Sequence, residues 1–138
     1  MGIVKEFLDF ERPHFEMSGD PKKDMRLGME ARISQWLDMM DIKDYVIRED
    51  LVVDVLNDVN LTGEELEELP EFIKFGKIWG GFYAGGNPWQ SLEGFPKEVK
   101  GDLQINSIAN ILEVGEVNPK INKKLIEKLI KVNGQIFI

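Results

Sequence analysis

Four times along the chain, a seven-residue stretch alternates apolar and variable positions around a small third residue. The copies are Val55-Leu56-Asn57-Asp58-Val59-Asn60-Leu61, Ile78-Trp79-Gly80-Gly81-Phe82-Tyr83-Ala84, Val99-Lys100-Gly101-Asp102-Leu103-Gln104-Ile105 and Val132-Asn133-Gly134-Gln135-Ile136-Phe137-Ile138. Each reads β-branched, any, Gly or Asn, any, apolar, any, apolar. Apolar residues two apart share one face of an extended segment, so the pattern predicts four strands with positions five and seven turned inward. Elsewhere the apolar period is helical. Met25, Met29, Ile33, Trp36, Leu37 and Met40 predict a helix over 20–41, with Asp20 as N-cap and Pro21 at the first helical position. Val4, Phe7 and Leu8 predict a short upstream helix broken by Arg12-Pro13. Residues 45–55 read as strand, polar turn and strand. Pro119 followed by Ile121, Leu125, Ile126, Leu129 and Ile130 predicts a lysine-edged amphipathic helix of about three turns.

The copies start at residues 55, 78, 99 and 132, hence spacings of 23, 21 and 33. The first two fall within the period of leucine-rich-repeat solenoids, and the third is one period plus an insertion. Phe82-x-Ala84-x-x-Asn87-x-Trp89 also carries the apolar-x-apolar-x-x-Asn-x-apolar signature of such coils, and Val59-x-Leu61-x-x-Glu64-x-Leu66 carries it with Glu in place of Asn. A single coil cannot bury its apolar face, whereas stacked coils cover one another. Between the strands, Leu66-x-x-Leu69-Pro70 echoes Leu92-x-x-Phe95-Pro96, and Thr62-Gly63-Glu64-Glu65 has the spacing of a capping box, predicting a short helical turn through Leu66 and Leu69. The expected fold is α/β: a short leucine-rich-repeat-like solenoid with a parallel sheet of about four repeat strands, an N-terminal helical cap and hairpin, and a C-terminal amphipathic helix. Residues 1–138 are expected to form a single domain, with 1–54 as cap and hairpin and 55–138 as the repeat-like solenoid.

Composition changes this picture in three places. At 43% hydrophobic and 30% charged, the chain belongs with folding globular proteins, and no run reaches membrane-spanning length, so neither a membrane partner nor a membrane span is expected. Seventeen Lys+Arg against 25 Asp+Glu give a net charge of −8, which opposes nucleic-acid phosphates. The absence of cysteine excludes disulfides and thiolate chemistry, and with no signal-peptide pattern the expected location is cytoplasmic.

Candidate chemistry is sparse. His14 is the sole histidine, and neither a nucleophile elbow, a zinc spacing nor a phosphate-binding glycine loop is present; "GGFYAGGN" lacks the Lys-Ser/Thr that phosphate cradling needs. Asp58 and Asp102, aligned at the fourth repeat position, are the one carboxylate pair the alignment places on neighbouring strands. The run Glu64, Glu65, Glu67, Glu68 reads as solvated charge rather than a cation site. No catalytic residue, metal ligand or cofactor is expected.

The stretch "SLEGFPKEVKGDLQI", preceded by "FGKIWGGFYAGGN", resembles the repeat unit of small leucine-rich-repeat-like proteins encoded by tailed bacteriophages, close to "N-x-L-x-S-L-E-G-x-P-K-E-V-G-G-D-F-x-C". The match runs from Asn87 through Ser91-Leu92-Glu93-Gly94, Pro96-Lys97-Glu98-Val99 and Gly101-Asp102, and "DLVVDVLNDVNL" resembles the segment that precedes the first repeat. Cysteine is absent from the inward position, and the third repeat lacks the Asn. The resemblance implies a phage or prophage origin and the solenoid fold, and it carries over no catalytic residues.

The expected function is a non-enzymatic protein-interaction module binding a host or phage protein, with inhibition of a host defence system as its sharper form. A structural or assembly role in the virion, and a small hydrolase-type enzyme, are the alternatives. The outward strand residues Asn60, Tyr83, Gln104 and Phe137 would form a recognition row across the concave face. The fourth strand, with Gln135-Ile136-Phe137-Ile138, would lie at an edge of the parallel sheet without the proline or lysine that discourages pairing, and so could make a homodimer or receive a partner's strand.

Overall fold

The structure, a computed structural model, describes residues 21–105 and 117–138. The expected upstream helix, Asp20, His14 and the start of the insertion after the third repeat lie outside the described residues. The chain divides into two compact units, residues 1–32 and 33–138.

Helix α1 (Pro21–Met39) forms where the helical period predicts it. Its apolar set is used unevenly: Ile33, Trp36 and Leu37 are buried and Met40 packs against the core, but Met25 is 71% exposed. Met29 is half-buried, so among the described residues the apolar face of the helix is sealed only from Ile33 onward. Strands β1 (Tyr45–Ile47) and β2 (Val53–Val55) form the expected antiparallel hairpin.

Beyond the hairpin the chain alternates between two sheets. Strands β3 (Val59–Asn60), β5 (Phe82–Tyr83), β7 (Leu103–Gln104) and β9 (Ile136–Phe137) form one, in the order β9-β7-β5-β3. Strands β4 (Phe75–Ile78), β6 (Glu98–Val99) and β8 (Lys131–Val132) join the hairpin in the other, in the order β1-β2-β4-β6-β8. Every pairing except β1 with β2 is parallel. The expected parallel sheet of four repeat strands is present as β9-β7-β5-β3; the second sheet, which takes the first residue of each copy, was not expected. Each heptapeptide bends at its second and third residues, so its first residue ends a strand of one sheet and its fifth begins a strand of the other.

The register is that of the sequence alignment. Val59, Phe82, Leu103 and Ile136 are successive partners, as are Asn60, Tyr83, Gln104 and Phe137; in the other sheet Val55 pairs Ile78, Ile78 pairs Val99, and Val99 pairs Val132. One hydrogen-bond rule repeats at all three junctions between copies. The third-position N–H donates to the third-position carbonyl of the preceding copy: Gly80 to Asn57, Gly101 to Gly80 and Gly134 to Gly101, at 3.3, 2.9 and 3.0 Å. In the other sense, the fifth-position N–H donates forward to the fourth-position carbonyl: Val59 to Gly81, Phe82 to Asp102 and Leu103 to Gln135, at 2.9, 2.9 and 2.8 Å.

Glycine at the third position is what lets the copies approach this closely. A Cβ on Gly101 would lie 2.9 Å from the Gly80 carbonyl carbon and from the Gly81 nitrogen, and one on Gly134 would lie 2.6 Å from the Gly101 oxygen. Asn57, in the first copy, has no earlier copy beneath it.

The inward positions build the core. Val55, Ile78, Val99, Val59, Phe82, Leu103, Leu61, Ala84 and Ile105 are fully buried. Phe75, Phe82, Phe95 and Trp89 run through it in edge-to-face and tilted contacts, with successive ring centroids 5.5, 5.5 and 4.8 Å apart. Buried apolar area of this kind is the main stabilising term, about 25 cal/mol per Å².

The return segments after the first two repeat copies are turns and bends, not helix. The capping-box reading at Thr62 fails because Asn87, not the Glu65 side chain, organises this stretch, while Glu65 itself sits at φ +59°. The echo of the two Leu-x-x-apolar-Pro segments is real in packing: Leu69 and Phe95 are buried, with Leu66 and Leu92 against the core. Helix α2 (Lys123–Leu129) is shorter than expected and starts at Asn122, whose side chain accepts from Leu125 N–H; Asn118 to Ile121 instead form a turn. Ile121, Ile126 and Ile130 are buried. Among the described residues no helix is long and apolar enough to cross a membrane.

Candidate interaction surface

Because side chains alternate along a strand, the sixth position of each copy faces away from the buried fifth and seventh. Asn60, Tyr83, Gln104 and Phe137 consequently stand side by side as register partners. Asn60 is exposed, Tyr83 and Gln104 are half-buried, and Phe137 is 42% exposed. Two of the four have local engagements the sequence did not reveal. Asn60 Oδ1 accepts from Thr62 N–H at 3.0 Å, and the Tyr83 ring lies over Gly81, where a Cβ would come within 2.6 Å of its Cζ. Tyr83 thus fills the space that the Asp58 and Asp102 side chains occupy in the flanking copies.

At two of the three junctions the fourth position supplies a side-chain acceptor to the next copy. Asp58 Oδ1 accepts from Gly81 N–H at 2.7 Å, and Asp102 Oδ1 accepts from Gln135 N–H at 2.8 Å. The expectation of neighbouring Asp58 and Asp102 carboxylates is corrected: Gly81 stands between them, two strand spacings of about 4.8 Å separate their backbones, and each carboxylate is engaged by the copy that follows. Among the described residues, no group of three or more His, Cys, Asp or Glu side chains is arranged to hold a metal ion.

A second outward row lies at the second position, treated in the sequence as unspecified. Leu56 and Trp79, 56% and 48% exposed, are followed by Lys100 and Asn133, and Lys77 Nζ sits 3.8 Å from the Trp79 ring centroid. The signal was present in two large apolar residues at a position that alternation turns outward. Alongside runs a row of alternating charge. Arg48 pairs with Asp54 at 3.4 Å, Asp54 Oδ1 accepts from Lys77 N–H, Lys77 is the register partner of Glu98, and Glu98 that of Lys131, whose Nζ is 4.0 Å from the Glu98 carboxylate.

Among the described residues both sheets have an edge at the fourth copy. Among the described residues β8 pairs only with β6 and β9 only with β7. The inward positions that are sealed in the first three copies open here: Val132 and Ile136 are half-buried and Ile138 is 43% exposed. An open groove of ≈ 480 Å³ borders this edge, lined by Lys123, Glu127, Ile130, Val132, Gly134 and Ile136 among others. Gln135, the fifth predicted contact residue, is exposed and uses its N–H for Asp102. No protein family, curated protein or solved structure matches this chain.

Proposed function

We propose that this protein is a non-enzymatic interaction module built as a short leucine-rich-repeat-like solenoid, which binds another protein through the outward row of the β3-β5-β7-β9 sheet or through its open edge. The observation that carries the reading is the side-by-side row Asn60, Tyr83, Gln104 and Phe137, which ends on an exposed aromatic at a sheet edge left open among the described residues. Rigid aromatics next to hydrogen-bonding side chains are the usual anchors of protein recognition. The resemblance of residues 87–102 to phage-encoded repeat units supports a host or phage protein as the partner, met in the host-cell cytoplasm, with inhibition of a host defence system as the specific role.

The test uses the intact protein as bait in bacterial lysate, followed by affinity measurement with the purified partner. Tyr83→Ala and Phe137→Ser should each weaken that complex by at least about tenfold, the size of a hot-spot loss. A partner held equally well by both variants and by the parent rules out this surface.

A further inference from the structure

We propose that the open edge formed by β8 and β9 is a docking site for an extended segment of another protein with the sequence pattern acidic-apolar-x-Gly-x-apolar-x-apolar, added in parallel as a further rung on both sheets. This deepens the interaction reading above by giving its edge a defined ligand class.

The geometry of the three existing junctions fixes what the edge offers. By equivalence with the third copy, the carbonyls of Val132 and Gly134 and the N–H groups of Ile136 and Ile138 point outward, since Val99 and Gly101 accept, and Leu103 and Ile105 donate, at the junction before it. No hydrogen bond between described residues engages these four groups. Gln135 stands where Asp102 stands, its side-chain carbonyl able to accept the N–H that Asp102 takes from the following copy. An incoming strand would therefore continue an interface the chain already makes three times.

Two features select the occupant. The first is steric: at the preceding junctions the residue over the third position is glycine, and a Cβ there would strike the backbone below at 2.9 Å or less. The second is charge. The row Arg48, Asp54, Lys77, Glu98, Lys131 alternates in sign and reaches the edge on Lys131, whose side chain is 74% exposed, so the next member of the row is acidic. Opposite charges on adjacent strands attract and like charges repel. The third repeat copy, Glu98 to Ile105, satisfies both requirements and serves as the probe.

A second copy of the chain does not fit. Its first repeat copy has Asn57 where glycine is required, its Asp54 is engaged by Arg48, and β1 covers the outer side of β2. An antiparallel pairing of two fourth copies would break the glycine nesting.

The experiment titrates the intact protein with a synthetic peptide of residues 98–105, reading amide hydrogen exchange and fluorescence anisotropy. Saturable binding is expected, with new protection at Ile136 and Ile138. Gly101→Ala in the peptide should weaken binding at least about tenfold, and Glu98→Lys about fivefold, an effect reversed on the Lys131→Glu protein. The inference is overturned by absence of saturable binding at millimolar peptide, by equal binding of the Gly101→Ala peptide, by protection elsewhere, or by a dimer of the unliganded protein that light scattering shows to occupy this edge. Any of these results leaves the loss of a partner through Tyr83 to be judged separately, so failure of the edge and failure of the interaction reading are distinguishable.

Discussion

Asn87 donates its side-chain amide to the carbonyl of Leu61, 26 residues earlier, at 2.8 Å. The same amide reaches the carbonyls of Ala84 and Gly85, and its Oδ1 accepts from Leu66 N–H at 3.0 Å. Asn87 is fully buried, and both its side-chain nitrogen and its side-chain oxygen are engaged by backbone groups where the chain turns away from the sheet. A buried carbonyl and N–H without partners cost about 1–3 kcal/mol each, more than the added burial of an apolar side chain returns. Asn87→Leu should therefore destabilise the protein by about 3 kcal/mol, seen as a lower urea midpoint at unchanged slope.

Two glycines should respond to the same substitution with opposite signs. Gly101→Ala forces a Cβ against the backbone of Gly80 and Gly81 and should destabilise by about 2 kcal/mol or more, as overpacking does. Gly28, within α1, has nothing within 4 Å of its Cβ position among the described residues, so Gly28→Ala should stabilise by about 0.5–1 kcal/mol through helix propensity. Thermal melts of the two variants give the comparison.

Removing the fourth-position acceptor tests the rung-to-rung bond. Asp102→Ala deletes the acceptor of Gln135 N–H, and amide exchange at Gln135 should accelerate about fivefold, corresponding to a bond of about 1 kcal/mol. Exchange at Gly81, whose N–H is held by Asp58, should stay as it is.

The hairpin turn should respond to acid. The Arg48 guanidinium, hydrogen-bonded to Asp50 at 3.3 and 3.4 Å, and then the Val52 N–H at 3.1 Å, hold the Asp50 carboxyl below its ordinary value of 3.8. A carboxyl depressed in the folded state stabilises above its unfolded pKa, and that contribution disappears as pH falls through the lower folded value. The Val52 amide shift should thus titrate with a midpoint below 3.8, and Arg48→Gln should raise that midpoint. Both groups are exposed, so added salt should move it the same way.

The repeat and its register were legible because the apolar positions five and seven, and the glycine at three, recur without slippage. A one-residue shift would have turned every inward side chain to solvent. The division into two sheets was not legible, since a bend at positions two and three leaves no mark in an alternation count. The return through Thr62 misled because capping-box spacing was read locally, whereas Asn87, more than 20 residues downstream, supplies the hydrogen bond to Leu66. Asp58 and Asp102 looked like neighbours only because the copy between them carries Gly81. Of the candidate surface, the row of sixth positions followed from alternation; the charge row did not, because strand order had to be known before opposite signs could be placed side by side.

The spacing of 33 residues between the third and fourth copies, against 21 and 23 before, leaves the junction bonds unchanged. Connector length is thus decoupled from alignment, which the nested glycines fix by themselves. For loops in general, each doubling of length costs only roughly 0.6 kcal/mol of closure entropy. Repeats of unequal length can accordingly follow one another in such an array without loss of register.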